Sequence, residues 1–168
     1  LVFACPPNMF LPILMDKTAQ EIEIFSSFRF QSNLTQLHQN QDLMPPHRAA
    51  WSSWNFHTNE DQLCTLSYWM NRLQPLKTND QFFVSLNQNQ KNPLYQTVYD
   101  HPIFSMATLQ AQKDIGRIQG SQKTFYAGSY LGYGFHEDGI QSALKICQQL
   151  QIQPEGFINP DTSRILWN

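Results

Sequence analysis

The hydrophobic pattern has a period of two in the middle of the chain and a helical period near its end. If the chain from Leu63 to Met70 is extended, one face carries Cys64, Leu66, Tyr68 and Met70, and the other face carries Thr65, Ser67 and Trp69. This alternation is typical of a half-buried β-strand. In the last quarter, apolar residues recur at i, i+3, i+4 and i+7, namely Ile140, Ala143, Leu144 and Cys147. That spacing predicts an amphipathic helix from about Glu137 to Leu150.

Shorter patterns predict the remaining elements. Thr18 followed by Glu21 forms a capping box that opens a helix ending near Phe25. Two further helices are predicted, Asn8 to Leu14 and Pro102 to Gln119, the second interrupted by Gly116. Apolar runs between turn signals predict six more strands, at Leu1 to Cys5, Phe28 to Gln36, Ala49 to His57, Phe82 to Leu86, Tyr95 to Tyr99 and Thr124 to Gly128. The polar turn at Asn59 to Asp61 would join two antiparallel strands.

This order of elements predicts an α+β fold with a mixed or antiparallel sheet. Strand and helix occur at both ends, and the antiparallel middle has the pattern of an insertion into an α/β domain. We divide the chain into residues 1–27, which join the two parts, residues 28–120, the inserted sheet region, and residues 121–168, the final strand, loop, helix and tail. Because the chain opens inside a buried-strand pattern, we expect it to be cut from a longer protein.

Composition removes several function classes. Charged residues make up only 14% of the chain, the net charge is −2, and Lys and Arg are scattered, so nucleic acid is not an expected partner. The longest apolar run, Met9 to Met15, is too short to cross a bilayer and contains Pro12. Three dispersed cysteines favour reduced thiols in the cytoplasm. No metal site is predicted, because metal-ligand spacing is missing among the histidines, His38, His47, His57, His101 and His136.

A glycine-bearing segment between the last strand and the last helix is the main candidate for chemistry. Tyr126, Ala127 and Gly128 lead through Gly132 and Gly134 into the predicted helix at Glu137. Glycines allow close backbone approach to a ligand, and free N–H groups with the helix dipole favour an anion there. The alternative is a tight turn in which Glu137 and Asp138 only complement the dipole. The residues by themselves leave both interpretations open.

The same segment resembles the C-terminal FAD motif of flavin-containing amine oxidases and phytoene-desaturase-like enzymes. It is most similar to a bacterial branch of NAD/FAD-binding oxidoreductases often encoded beside cyclopropane-fatty-acid synthases. The shared run is Gly-Tyr-Gly-Phe-His-Glu-Asp-Gly, residues 132–139, followed by Ser142 and Ala143. Further matching runs are Arg48 to Asn55, Thr65 to Gln74, Phe83 to Asn87 and His101 to Phe104.

The resemblance implies FAD as cofactor and a flavoenzyme substrate domain joined to C-terminal pieces of the FAD domain. The cofactor-binding residues it implies are Gly128, Ser129, Gly132, Gly134, Phe135, His136, Glu137 and Asp138. Such enzymes line their substrate cavities with aromatic side chains, so the resemblance suggests Trp54 and Tyr68, together with the polar Asn55, for the substrate pocket. The alternative is that the two aromatic residues only cover an ordinary sheet face. No catalytic base is identified.

The resulting functional hypothesis is the C-terminal part of an FAD-dependent oxidoreductase. It would transfer hydride between flavin and a small molecule, an amine or a lipid-related compound. The alternative is a catalytically silent binding or assembly module. The glycine-rich βαβ unit that holds the ADP half of FAD is not among the 168 residues, so we expect FAD in a full-length protein and not in this chain.

We predict that the chain self-associates. Leu1 to Cys5 and Thr124 to Gly128 have the pattern of strands buried in a larger sheet, and unpaired edges with apolar faces favour association. Light scattering of the concentrated chain should show oligomers, and a monodisperse monomer would contradict the prediction.

Overall fold

The chain has an α+β fold, as the sequence predicts. The computed structural model describes residues 1–58, 64–157 and 161–167. Its strands are β1 Val2–Phe3, β2 Arg29–His38, β3 Trp54–Thr58, β4 Cys64–Trp69, β5 Phe83–Leu86, β6 Tyr95–Ile103 and β7 Phe125–Tyr126. Its helices are α1 Pro7–Phe10, α2 Ala19–Phe25, α3 Met70–Leu73, α4 Met106–Asp114 and α5 His136–Gln149.

The chain divides into two compact units, one inserted in the other. The first unit comprises Leu1–Gln31 with Pro102–Asn168, and the second comprises Ser32–His101. The second unit is shorter at both ends than the predicted middle region, residues 28–120, because residues 28–31 and 102–120 belong to the first unit. The functional labels of the three predicted regions stay predictions.

In the first unit, β1 and β7 form a parallel pair with Val2 opposite Phe125 and Phe3 opposite Tyr126. The Tyr126 side chain is fully buried, and its hydroxyl donates a hydrogen bond to a carboxylate oxygen of Glu21. The other Glu21 oxygen accepts from the backbone N–H of Thr18 at 2.7 Å, and the Thr18 hydroxyl accepts from Glu21 N–H at 3.2 Å. The predicted capping box is thus confirmed, and it also ties α2 to β7.

An aromatic core surrounds this buried hydrogen bond. Phe25 packs edge-on to Tyr126, with ring centroids 4.7 Å apart. Trp167 in the tail is 0% exposed and belongs to the same cluster, so the tail packs against this core. Burying a side chain of this size contributes about 1.5–3 kcal/mol, so the tail adds substantially to the stability of the unit.

The bounds of most predicted elements differ from those observed, and three of the differences are the following. The predicted helix at Pro102 begins only at Met106, because β6 continues to Ile103 and the Ser105 hydroxyl caps α4 by accepting from Thr108 N–H at 3.1 Å. The predicted strand Ala49 to His57 begins at Trp54, after a 3₁₀ turn at Arg48–Ala50. The predicted helix Asn8 to Leu14 is the four-residue α1.

The second unit is a five-stranded antiparallel sheet in the order β3-β4-β5-β2-β6. The predicted pairing of β3 with β4 is confirmed, with Trp54 opposite Tyr68. The turn predicted at Asn59 to Asp61 lies outside the described residues. Hydrogen bonds from Ser32 to Asp100 and from Gln36 to Gln96 show that β6 runs antiparallel to β2.

The burial of this sheet is the reverse of the usual arrangement, because its polar face is the buried one. Residues that share this face by register are almost fully buried, namely Gln36, His38, Asn55, Thr65, Ser67, Phe83 and Ser85. Met44 and Trp51 pack with Phe83 over part of it. The opposite face carries two apolar rows, which are Trp54, Tyr68, Val84 and Leu37, and Phe56, Leu66, Leu86 and Thr35. Trp54 is 56% exposed and Phe56 60%.

A chain of hydrogen bonds satisfies the buried polar face. His38 Nδ1 accepts from Asn40 N–H at 3.1 Å, so the proton lies on Nε2, which donates to Ser85 Oγ at 2.8 Å. Ser85 Oγ lies 2.7 Å from Ser67 Oγ. The burial of His38 disfavours its charged form and lowers its pKa below the ordinary value.

We predict that the stability of the chain falls as the pH drops below about 6.5, partly because of His38. A histidine whose pKa is lowered in the folded state contributes stability above its unfolded pKa, about 6.5, and loses it as the unfolded state takes up the proton first. Urea unfolding at about pH 7 and about pH 5 should show a smaller pH dependence in His38→Gln than in wild type. The exposed His47, changed to Gln, is the control. A pH dependence unchanged in His38→Gln would contradict the prediction.

Candidate functional site

The predicted FAD motif occupies the junction between β7 and α5. After β7 the chain passes through Ala127 and Gly128 into a 3₁₀ turn, Ser129–Leu131. Gly128 has φ +150° and ψ 162°, and its N–H donates to Ser142 Oγ at 2.9 Å. A Cβ at this position would lie 2.7 Å from the Tyr130 ring. Gly128 is therefore required by the packing of the loop itself.

The carboxylate of Asp138 organises the next part of the loop. Asp138 is 0% exposed, and its Oδ2 accepts hydrogen bonds from the N–H groups of Tyr133 at 3.0 Å and Phe135 at 2.8 Å. A Cβ on Gly132 would lie 2.6 Å from Asp138 Cγ, so Gly132 provides the space for the carboxylate. The structure thus places Asp138 and Gly132 inside the junction rather than on its surface.

Gln112 on α4 also holds the loop, and sequence reasoning missed it. Its side-chain amide donates to the carbonyl oxygens of Tyr130 at 2.9 Å and Gly132 at 2.7 Å, and it is 2% exposed. No local signal marks it, because a single Gln in a predicted helix among many glutamines is ordinary. Only the packing of α4 against the loop identifies its role.

The remaining predicted residues form one exposed stretch at the start of α5. Gly134, Phe135, His136 and Glu137 are all exposed, with Phe135 at 55%. Gly134 has φ +91°, a conformation that favours glycine. The first backbone N–H groups of an α-helix have no partner within the helix and carry the positive end of its dipole. The N–H groups of Gly134 and Phe135 already donate to Ser129 O and Asp138 Oδ2, so those of His136 and Glu137 are the ones that can donate to a polar or anionic ligand edge.

The junction fits a flavin in its position and its exposed donors. Ligands of open parallel sheets bind beyond the carboxyl ends of the strands, and both Gly128 and the exposed stretch follow β7 at that end. Tyr130 Oη is buried without a hydrogen-bond partner among the described residues, and the Tyr130 ring packs edge-on against Phe28 in the main core. Burial raises the pKa of the Tyr130 hydroxyl well above its ordinary value. Ser129 is half-buried in the same 3₁₀ turn.

The structure does not bring the three predicted pocket residues together. Trp54 and Tyr68 are neighbours on the apolar sheet face, with ring centroids 5.4 Å apart in an edge-to-face arrangement. Asn55 points to the opposite, buried face. There its side chain accepts from Ser52 N–H at 3.1 Å and donates to Ser52 O at 2.7 Å. Asn55 faces away from Trp54 because successive residues of a strand point to opposite faces. Its hydrogen bonds to Ser52 stabilise the start of β3.

Other chemistry has little support among the described residues. They contain no group of three or more His, Cys, Asp or Glu side chains placed to hold a metal ion. No helix in the described ranges is long and apolar enough to cross a membrane. Cys5 and Cys147 are free thiols.

We predict opposite effects for two glycines of the junction. Gly132→Ala should destabilise the chain by about 1–3 kcal/mol, because the new methyl group overlaps the Asp138 carboxylate. Gly139→Ala is the matched control. Its Cβ would make only an ordinary 3.7 Å contact with the backbone nitrogen of Ser129, so this substitution within α5 should be stabilising by about 0.5–1 kcal/mol. Denaturant unfolding measures both, and equal effects would contradict this account of Gly132.

The sequence of the chain matches no protein-family model and no curated protein. A function must therefore be argued from the residues and their geometry.

Proposed function

We propose that this chain is the C-terminal part of an FAD-dependent oxidoreductase of the amine-oxidase kind. The observation that carries the proposal is the exposed stretch Gly134 to Glu137 at the start of α5, beyond the carboxyl end of the parallel pair β1 and β7. The residues in this stretch belong to the run that resembles the C-terminal FAD motif. Sequence likeness and position in the fold therefore favour the same site.

The chain's own residues would hold and orient the flavin. When bound, FAD supplies the hydride chemistry at its ring. Phe135 offers an exposed aromatic ring, and His136 with the first N–H groups of α5 offers donors to an electron-rich ring edge. Gly128, Gly132 and Asp138 act one layer below by fixing the loop. Ser129, half-buried in the 3₁₀ turn, lies between Gly128 and Gly132 along the chain.

On the substrate side, the apolar sheet face supports a lipid-related substrate over a small cationic amine. Its two register rows contain four aliphatic and three aromatic side chains with one threonine, and none is charged. A cation would find no counter-charge among these residues, whereas a hydrocarbon chain gains about 25 cal/mol for each Å² of apolar surface buried. Trp54 and Tyr68 keep their proposed place in this substrate region, and Asn55 does not.

The same face also favours the second candidate function, a binding or assembly module without catalysis. Trp54 and Phe56 on this face are more than half exposed, and exposed apolar side chains grouped together mark interaction surfaces. The 168 residues also contain no G-x-G-x-x-G fingerprint. In either case the free thiols of Cys5 and Cys147 support a reducing compartment, the cytoplasm.

We predict that this chain purified by itself does not retain FAD, whereas a full-length protein that contains it does. A Gly-rich βαβ unit normally supplies much of the cofactor's binding surface. In the full-length protein, His136→Ala should keep the flavin content and change the rate of flavin reduction. Visible absorption spectra and stopped-flow reduction measure the two properties.

His47→Ala, which removes an exposed imidazole outside the candidate site, is the matched control for His136→Ala and should leave both properties unchanged. Gly134→Val would impair FAD retention, but its φ of +91° strains any larger residue, so this variant cannot separate ligand contact from loop distortion. A full-length protein that binds no flavin would contradict the oxidoreductase proposal and favour the binding module.

A further inference from the structure

The C-terminal tail is hydrogen-bonded to α5 at Arg164 and at the residues that follow it. The backbone N–H of Arg164 donates to Gln141 Oε1 at 3.1 Å. Lys145 Nζ donates to the carbonyl oxygens of Ile165 and Trp167. The side chains of Ile165 and Trp167 are buried in the main core. Arg164 is therefore held at a fixed position on the helix.

From this position the Arg164 guanidinium reaches the loop of the candidate flavin site. Its Nε lies 2.8 Å from Asp138 Oδ1, the carboxylate oxygen that accepts no hydrogen bond. The guanidinium carbon lies 5.8 Å from the centre of the Tyr133 ring and 5.7 Å from that of Phe135. These distances are within the range of cation–π attraction.

We infer that Arg164 is a positioning residue of the candidate flavin site, an inference that rests on the proposed function. It balances the buried Asp138 carboxylate, and through that carboxylate it fixes the backbone of Tyr133 and Phe135 at the start of α5. The tail thus completes the site, although nothing in the tail resembles a flavin motif.

The energetics of Asp138 explain why the site needs this arginine. A carboxylate without access to water loses its hydration, which is costly unless charges and hydrogen bonds replace it. Two N–H groups and the helix dipole replace part of it. The Arg164 side chain is 35% exposed and that of Asp138 is 0% exposed, so water screens the ion pair only from the arginine side. Removing one partner of such a pair leaves a buried charge uncompensated.

Hydrogen exchange on the present chain tests the positioning role directly. The reporters are the amides of Tyr133 and Phe135, which donate to Asp138, and the reference amides are those of Phe125 and Ala127 between β1 and β7. Arg164→Gln should speed exchange of the reporters by about tenfold or more, and that of the reference amides by less than about twofold. Arg164→Lys, which keeps the charge, should restore most of the protection.

Arg117→Gln removes the same charge from an exposed position of the same unit and is the control. It should leave both sets of amides unchanged. Unchanged exchange of Tyr133 and Phe135 in Arg164→Gln would overturn the inference. So would an equal increase at all four amides, because Arg164 would then support only global stability. Failure of Arg164→Lys to restore protection would also overturn it.

The flavin readout uses the full-length flavoenzyme that the proposed function implies. Arg164→Gln should retain flavin but lower its reduction potential, because the loop loses a positive charge that favours the anionic reduced form. Arg164→Lys should keep the potential. An unchanged potential in Arg164→Gln would overturn the inference. A wild-type protein that lacks flavin would instead overturn the proposed function, and the exchange data would remain valid for the loop.

Discussion

The buried carboxylate of Asp138 is the constraint on which the candidate site depends. One oxygen accepts hydrogen bonds from two backbone N–H groups of the loop, and the other faces the guanidinium of Arg164. A side chain at position 132 would overlap this carboxylate, so the glycine there follows from it. The exposed residues at the start of α5 are thus held in place by the Asp138 carboxylate. No ligand can contact this carboxylate, because Asp138 has no exposed surface.

The inserted sheet is subject to a different constraint, the satisfaction of buried polar groups. His38, Ser85 and Ser67 form a connected hydrogen-bond chain on the covered face, and Asn55 bonds to backbone groups beside it. A buried donor or acceptor without a partner costs about 1–3 kcal/mol, so this face fixes the register of four strands. The apolar face, with Trp54 and Phe56 more than half exposed, is left for contact with something other than the sheet.

The structure divides the motif into an inner, mostly buried layer and an outer, exposed layer. Gly128, Gly132 and Asp138 build the junction, while Gly134, Phe135, His136 and Glu137 form its outer surface. Substitutions in the inner layer change stability first, whereas those in the outer layer test ligand binding. This division explains why glycine substitutions are weak evidence for a flavin contact, and why His136 and Arg164 are better probes.

The sequence alone determined the local elements, because their signals are local. Each signal is formed by residues that are close together in the sequence. These signals are the capping box at Thr18 and Glu21, the strand alternation of β4 and the apolar stripe of α5. It also indicated the glycine junction as the candidate site. It could not predict which sheet face is buried, since the alternation of β4 favours burial of Leu66 and Tyr68, whereas the structure buries Thr65 and Ser67 instead. Nor could it predict Gln112 and Arg164, whose partners are distant in sequence and unmarked by composition. Only the tertiary structure decided these points, because burial and hydrogen-bond partners depend on which segments pack together.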